Sequence, residues 1–182
     1  MEIQRFTGFA KAKVRGFIKL PAKSLIAPVL TFALALLTAC TATPRELPTP
    51  QELFGAVERE VALPAMVEAT DDEVLAYLGI DSPDYSACAY YTGENSLKPD
   101  EIAIFAAIDE PAAERIEAKL RSRLEYMAKS AENYLPDNLP IIERAVVRRD
   151  RLTVAMFVSA DADAIAVAYA DALAGSGGKE QE

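Results

Sequence analysis

Histidine is absent from all 182 residues, and with it go the Ser-His-Asp and Cys-His relays that activate most hydroxyl and thiol nucleophiles. Only two cysteines occur, Cys40 and Cys88; without histidine they are too few to build a zinc site. Tryptophan is missing too, which removes the largest aromatic platform for a sugar or a cation. The leading apolar run, Ser24 to Leu36, falls short of the ~20 residues that a bilayer-spanning helix needs. No catalytic residue, cofactor or metal site is expected.

What is present at the N-terminus is an address. Arg5, Lys11, Lys13, Arg15, Lys19 and Lys23 face a single acid, Glu2, ahead of that apolar run. The run ends in Leu37-Thr38-Ala39-Cys40, the pattern of a bacterial lipobox. Small residues at Thr38 and Ala39 let a lipid-specific signal peptidase approach, Leu37 fills an apolar pocket, and the Cys40 thiol accepts a diacylglycerol thioether. Two acyl chains, at ~0.8 kcal/mol per buried CH₂, make a firm anchor where one chain makes a marginal one. Residues 1–39 therefore read as a lipoprotein signal peptide cleaved between Ala39 and Cys40. The expected location is the extracytoplasmic face of the cell membrane, held there by lipid.

Cleavage would remove six of 19 basic residues and one of 28 acids, leaving a mature chain of charge −14. Such a chain offers nucleic acid no broad cationic footprint. An anionic membrane surface would repel it and hold it off at the reach of its tether. The tether is residues 40–50, rich in Pro and Thr and extended, followed by a single domain over 51–173 and a disordered tail over 174–182.

Within the domain, two capping boxes announce helices. Thr49-Pro50-Gln51-Glu52 opens one running to about Glu60 with Leu53, Val57 and Val61 on one face. Thr70-Asp71-Asp72-Glu73 opens another that stops at Gly79, and its acids suit the helix dipole better than a cation site. Tyr85–Thr92 and the nearly continuous apolar Glu101–Ile108 read as strands, the second central. Asp109-Glu110-Pro111 begins the longest helix, with Ile116, Leu120, Leu124, Met127, Ala131 and Tyr134 forming its inward stripe until Pro136 and Pro140. Arg144–Arg148 and Arg151–Ser159 form a hairpin turning at Arg149-Asp150, and Ser159 caps a last helix with Ile165, Tyr169, Ala172 and Leu173 inward.

That order, ββαββα after two short N-terminal helices, predicts an α+β two-layer sandwich: a four-stranded antiparallel sheet with helices packed on one face. It resembles a family of small bacterial surface lipoproteins of Gram-positive type, catalogued as a domain of unknown function. The resemblance covers roughly residues 50–173. It rests on the lipobox, the short helices, Pro99-Asp100-Glu101-Ile102-Ala103-Ile104-Phe105, the helix reaching Tyr134-Leu135-Pro136, and the hairpin into Val158-Ser159. It implies a location and a fold and carries no catalytic residues.

Arg144, Arg148, Arg149 and Arg151 gather four guanidiniums around one hairpin, suited to an anionic polymer, a lipid headgroup or an envelope protein. The plainer alternative is that charge on an edge hairpin deters unwanted strand pairing. Tyr85, Tyr90 and Tyr91 could stack on a sugar, but adjacent strand residues point to opposite faces, so at least one is core. Cys88, left without a disulfide partner once Cys40 is lipidated, reads as a packed, inert thiol. Two functions follow: a non-catalytic binding module of the cell envelope, or a carboxylate-dependent hydrolase of cell-wall glycan, which needs no histidine.

Overall fold

The computed structural model describes residues 47–175. The proposed signal peptide, Cys40 and the tail beyond Gly175 lie outside the described residues. The elements are α1 (Pro50–Glu60), β1 (Met66–Glu68), α2 (Asp71–Leu78), β2 (Tyr85–Gly93), β3 (Glu101–Ala107), α3 (Glu110–Tyr134), α4 (Leu139–Glu143), β4 (Val146–Asp150), β5 (Thr153–Val158) and α5 (Ala162–Gly175).

Both capping boxes form in full. The Thr49 and Thr70 hydroxyls accept from the Glu52 and Glu73 amides, and each glutamate accepts from its threonine's backbone N–H at 2.8 Å. Gly79 ends α2 in the left-handed region at φ 63°, where a Cβ would be strained. The backbone hydrogen bonds, and secondarily the hydroxyls, hold the Glu52 and Glu73 carboxyls below the usual glutamate range of 4.5. Carboxyls depressed on folding stabilise the fold above about pH 4.5, and this contribution is lost as pH falls through the lower folded values. The thermal midpoint is expected to drop between about pH 5 and about pH 3, less steeply in Glu52→Gln/Glu73→Gln. Circular dichroism melts of the two proteins across that range check it; parallel pH profiles would refute it.

The sheet is antiparallel throughout, in the order β1-β2-β3-β5-β4, so β3 is central as expected. It has five strands rather than four. The extra one, β1, is three residues at the edge, with Met66 opposite Gly93 and Glu68 opposite Tyr91. Helices also cover both faces rather than one. On the first face α2 and α3 bring Val74, Leu78, Ile116 and Leu120 against Tyr90, Phe105, Val154 and Met156. On the second, α1 and α5 bring Leu53, Val57, Ile165 and Tyr169 against Ile102, Ile104, Ala155 and Phe157. The reason is in the strands: Glu101–Phe105 and Thr153–Val158 are buried at every residue. A strand apolar on both sides needs cover on both sides.

The hairpin between β4 and β5 turns two residues later than expected. Arg149 and Asp150 pair with Val154 and Thr153, and the loop is Arg151-Leu152. Arg151 takes φ 58°, the one positive φ at a non-glycine among the described residues. Past α3, a 3₁₀ turn (Pro136–Asn138) leads into α4, a short helix additional to the expected elements. Tyr134 does not face inward: it is 81% exposed.

Candidate functional site

A cleft of about 340 Å³ opens on the first face of the sheet, between the β2–β3 loop, the middle of α3 and the 3₁₀ turn before α4. Its lining includes Tyr77, Lys98, Asp100, Glu101, Arg123 and Tyr126. A larger recess of about 630 Å³ lies between α1 and α5, but its wall is mostly alanine and valine, and its charged residues, Arg59, Glu60 and Asp171, are all exposed. The first cleft is the one with buried polar chemistry.

Glu101 stands at the head of the central strand β3 and is itself 2% exposed. A carboxylate there requires partners. It accepts two hydrogen bonds from Arg123 Nε, at 3.2 and 3.3 Å, and one from Nη2 at 3.1 Å. The Tyr90 hydroxyl donates to Glu101 Oε1 at 2.7 Å. Burial, then the Glu101 charge and hydrogen bond, push the Tyr90 phenol far above its usual value, so it remains a donor. Burial alone would lower the Arg123 pKa; the Glu101 charge and hydrogen bonds more than reverse this, so the net direction is up. The Arg123 guanidinium carbon lies 5.7 Å from the Tyr77 ring centre and 5.8 Å from that of Tyr126, within cation–π range of both. Among the described residues Arg123 Nη1 has no hydrogen-bond partner. Arg123 is therefore fixed along one edge, flanked by two rings, with its other edge unclaimed.

The loop that closes the cleft is also fixed. The Gly93 amide donates to the Asp100 carbonyl at 2.8 Å and the Lys98 amide to the Asn95 carbonyl at 2.9 Å. The Asn138 side chain donates to the Leu97 carbonyl at 2.9 Å, tying loop to 3₁₀ turn. A wall of this kind has little ordering left to undergo on binding.

The four arginines of the hairpin do not converge. Arg149 turns to α3, where Glu117 Oε2 lies 3.1 Å from its Nε and Glu110 and Glu114 complete an acidic surround. Arg148, one residue earlier, points to the opposite face, 3.5 Å from Asp150 and over the Tyr169 ring at 5.8 Å. Arg144 donates through Nε to the Pro140 carbonyl at 3.1 Å, and Arg151 is exposed in the turn. Adjacent residues of a strand point to opposite faces, and three of the four arginines already have partners. The expected anion-binding patch is not assembled.

Tyr90 enters the first core, while Tyr91 stacks on Phe54 on the other face at 3.7 Å between ring centres. Tyr85 packs edge-on to Phe105, so these tyrosines make no joint platform. Cys88 is free and half-buried, less enclosed than expected; burial first, and the Asp71 charge second, raise its pKa and keep the thiol protonated. No group of three or more Cys, Asp or Glu side chains is placed to hold a metal among the described residues. No helix among them is long and apolar enough to cross a membrane.

Fold and site thus define an α+β domain with a five-stranded antiparallel sheet and a preformed polar cleft. The chain belongs to the family described as a domain of unknown function (DUF4358), whose model matches residues 59–159. Every residue lining the cleft falls inside that span. No curated protein and no solved structure matches the chain significantly.

Proposed function

We propose that this protein is a lipoprotein anchored through Cys40 on the extracytoplasmic face of the cell membrane, whose domain is a non-catalytic binding module of the envelope. The observation that carries the anchor is the register of Leu37-Thr38-Ala39-Cys40 at the end of a short apolar run behind six cations. Pro50 opens α1 ten residues after Cys40, so the domain stands at most ~35 Å from its anchor along an extended chain.

Binding, rather than hydrolysis, is the reading that the cleft supports. A glycosidase needs two carboxyl groups facing each other across the substrate, one of them able to give up a proton. The carboxylates lining this cleft are Asp100 and Glu101, neighbours in the chain. Both oxygens of Glu101 are already held by Arg123 and Tyr90. What the cleft does offer is fixed polar edges and aromatic rims, the composition of a recognition site. Ligand recognition, expected of the arginine hairpin with an envelope protein or an anionic polymer as its partner, is assigned instead to this cleft, with the ligand's chemistry set by the cleft's own lining.

The anchor is tested by metabolic labelling with a fatty-acid analogue. Wild-type protein is expected to take the label and partition into detergent, and Cys40→Ala to do neither. An unlabelled wild-type protein refutes the anchor.

A further inference from the structure

We propose that the cleft between Tyr77 and Tyr126 is a saccharide site, taking an uncharged pyranose segment rather than an anion. This deepens, and rests on, the binding-module reading above. The first observation is charge. The formally charged residues lining the cleft are Lys98, Asp100, Glu101 and Arg123, which sum to zero. An anion reaching Arg123 would meet Glu101 bonded to the same guanidinium, and a cation would meet Arg123. A neutral ligand meets neither penalty.

The second observation is the pattern of unclaimed polar groups. Arg123 Nη1 offers donors and Asp100 an unengaged carboxylate, while the Ser96 and Ser130 hydroxyls can both give and accept. None of these groups has a side-chain hydrogen-bond partner among the described residues. Vicinal hydroxyls of a sugar present one donor and one acceptor side by side, which a planar guanidinium or carboxylate edge engages in pairs. An apolar ligand would leave these groups desolvated and unpaired, at a cost of about 1–3 kcal/mol each.

The third observation is the rim. Tyr77 and Tyr126 are 51% and 66% exposed at the mouth of the cleft, on helices that also leave Leu75 and Tyr134 exposed outside it. Their inner contacts are with Arg123, which leaves ring surface open to the C–H face of a sugar. The cleft's size, about 340 Å³, suits one or two small rings rather than a folded partner.

The test is titration calorimetry on the full chain in detergent, with a trimer of N-acetylglucosamine and a trimer of glucose as neutral probes and a short polyphosphate as the anionic one. Wild-type protein is expected to bind at least one neutral trimer. Its affinity should be unchanged between about 0.1 M and about 1 M salt, where the Debye length shrinks from ~10 to ~3 Å. Tyr77→Ala and Tyr126→Ala should each weaken binding about tenfold, equivalent to ~1.4 kcal/mol. Tyr134→Ala, more exposed still but outside the lining, should not. The proposal is overturned if neither trimer binds, if the two cleft tyrosines can be removed without loss, or if only polyphosphate binds and salt abolishes it. Failure of both trimers with Cys40 still labelled removes the saccharide and leaves the anchored module; binding with Cys40 unlabelled does the reverse.

Discussion

Arg123→Ala is expected to destabilise the domain by about 3–5 kcal/mol, the cost of stranding a buried charge whose partner is gone. Glu101 would remain at the head of β3, 2% exposed, with only the Tyr90 hydroxyl to satisfy it. Arg123→Lys should recover little of the loss, because an ammonium cannot reproduce the paired Nε and Nη2 geometry on both carboxylate oxygens. The informative comparison is the double variant Glu101→Leu/Arg123→Met. Replacing a whole buried pair with apolar groups of similar size is often neutral or stabilising, whereas removing one partner is not. Urea denaturation of the single and double variants gives the cycle directly. If Arg123→Ala unfolds at the wild-type midpoint, Glu101 is hydrated in solution and the closed geometry of the pair is wrong.

The contrast has a functional side. If the double variant is at least as stable as wild type, the pair is not kept for stability, and its retention points to the cleft it lines. Tyr90 adds to that case: its hydroxyl, from the core, fixes the carboxylate that fixes the guanidinium. Three groups are thereby aligned so that one edge of Arg123 is presented to the cleft. Preorganisation of this sort raises affinity by removing the cost of ordering a long side chain.

The features legible in the sequence are those whose causes are local. Thr49 with Glu52 and Thr70 with Glu73 satisfy helix N-termini within four residues, so spacing alone places α1 and α2. The long stripe of α3 and the central β3 are equally local patterns. Where the cause is tertiary, the sequence is mute. Met66-Val67-Glu68 is a strand only because the end of β2 is there to pair with it. The turn at Arg151 defies the preference for Asn, Asp or Gly in the left-handed region, so local composition does not point to it.

Two tertiary features do leave a trace in local sequence. Uninterrupted apolar strands already imply a sheet covered on both faces. The period of two already forbids Arg148 and Arg149 from acting together. Glu101 carried a signal too, as a charge opening a buried strand, but its partner lies 22 residues away on a helix. Only the packing of α3 across the sheet joins them.

Leu120→Ala is expected to cost about 2–5 kcal/mol, the range for emptying a fully buried leucine site. Leu120 is 0% exposed, enclosed between α3 and the first face of the sheet. Tyr134, four turns further along the same helix, carries much more apolar surface, yet Tyr134→Ala should change stability by no more than ~0.5 kcal/mol. Length accounts for the difference. The 25 residues of α3 extend about 37 Å at 1.5 Å per residue. The seven residues of β3, the central strand beneath it, span only about 23 Å, and even the nine residues of β2 span about 30 Å. The helix therefore overshoots the sheet, its last buried stripe residue is Ala131, and Tyr134 has no layer beneath it. Urea midpoints of the two variants measure the contrast. A Leu120→Ala midpoint equal to wild type would show that α3 does not lie on the sheet, and a large loss in Tyr134→Ala would show that a further surface covers the helix end.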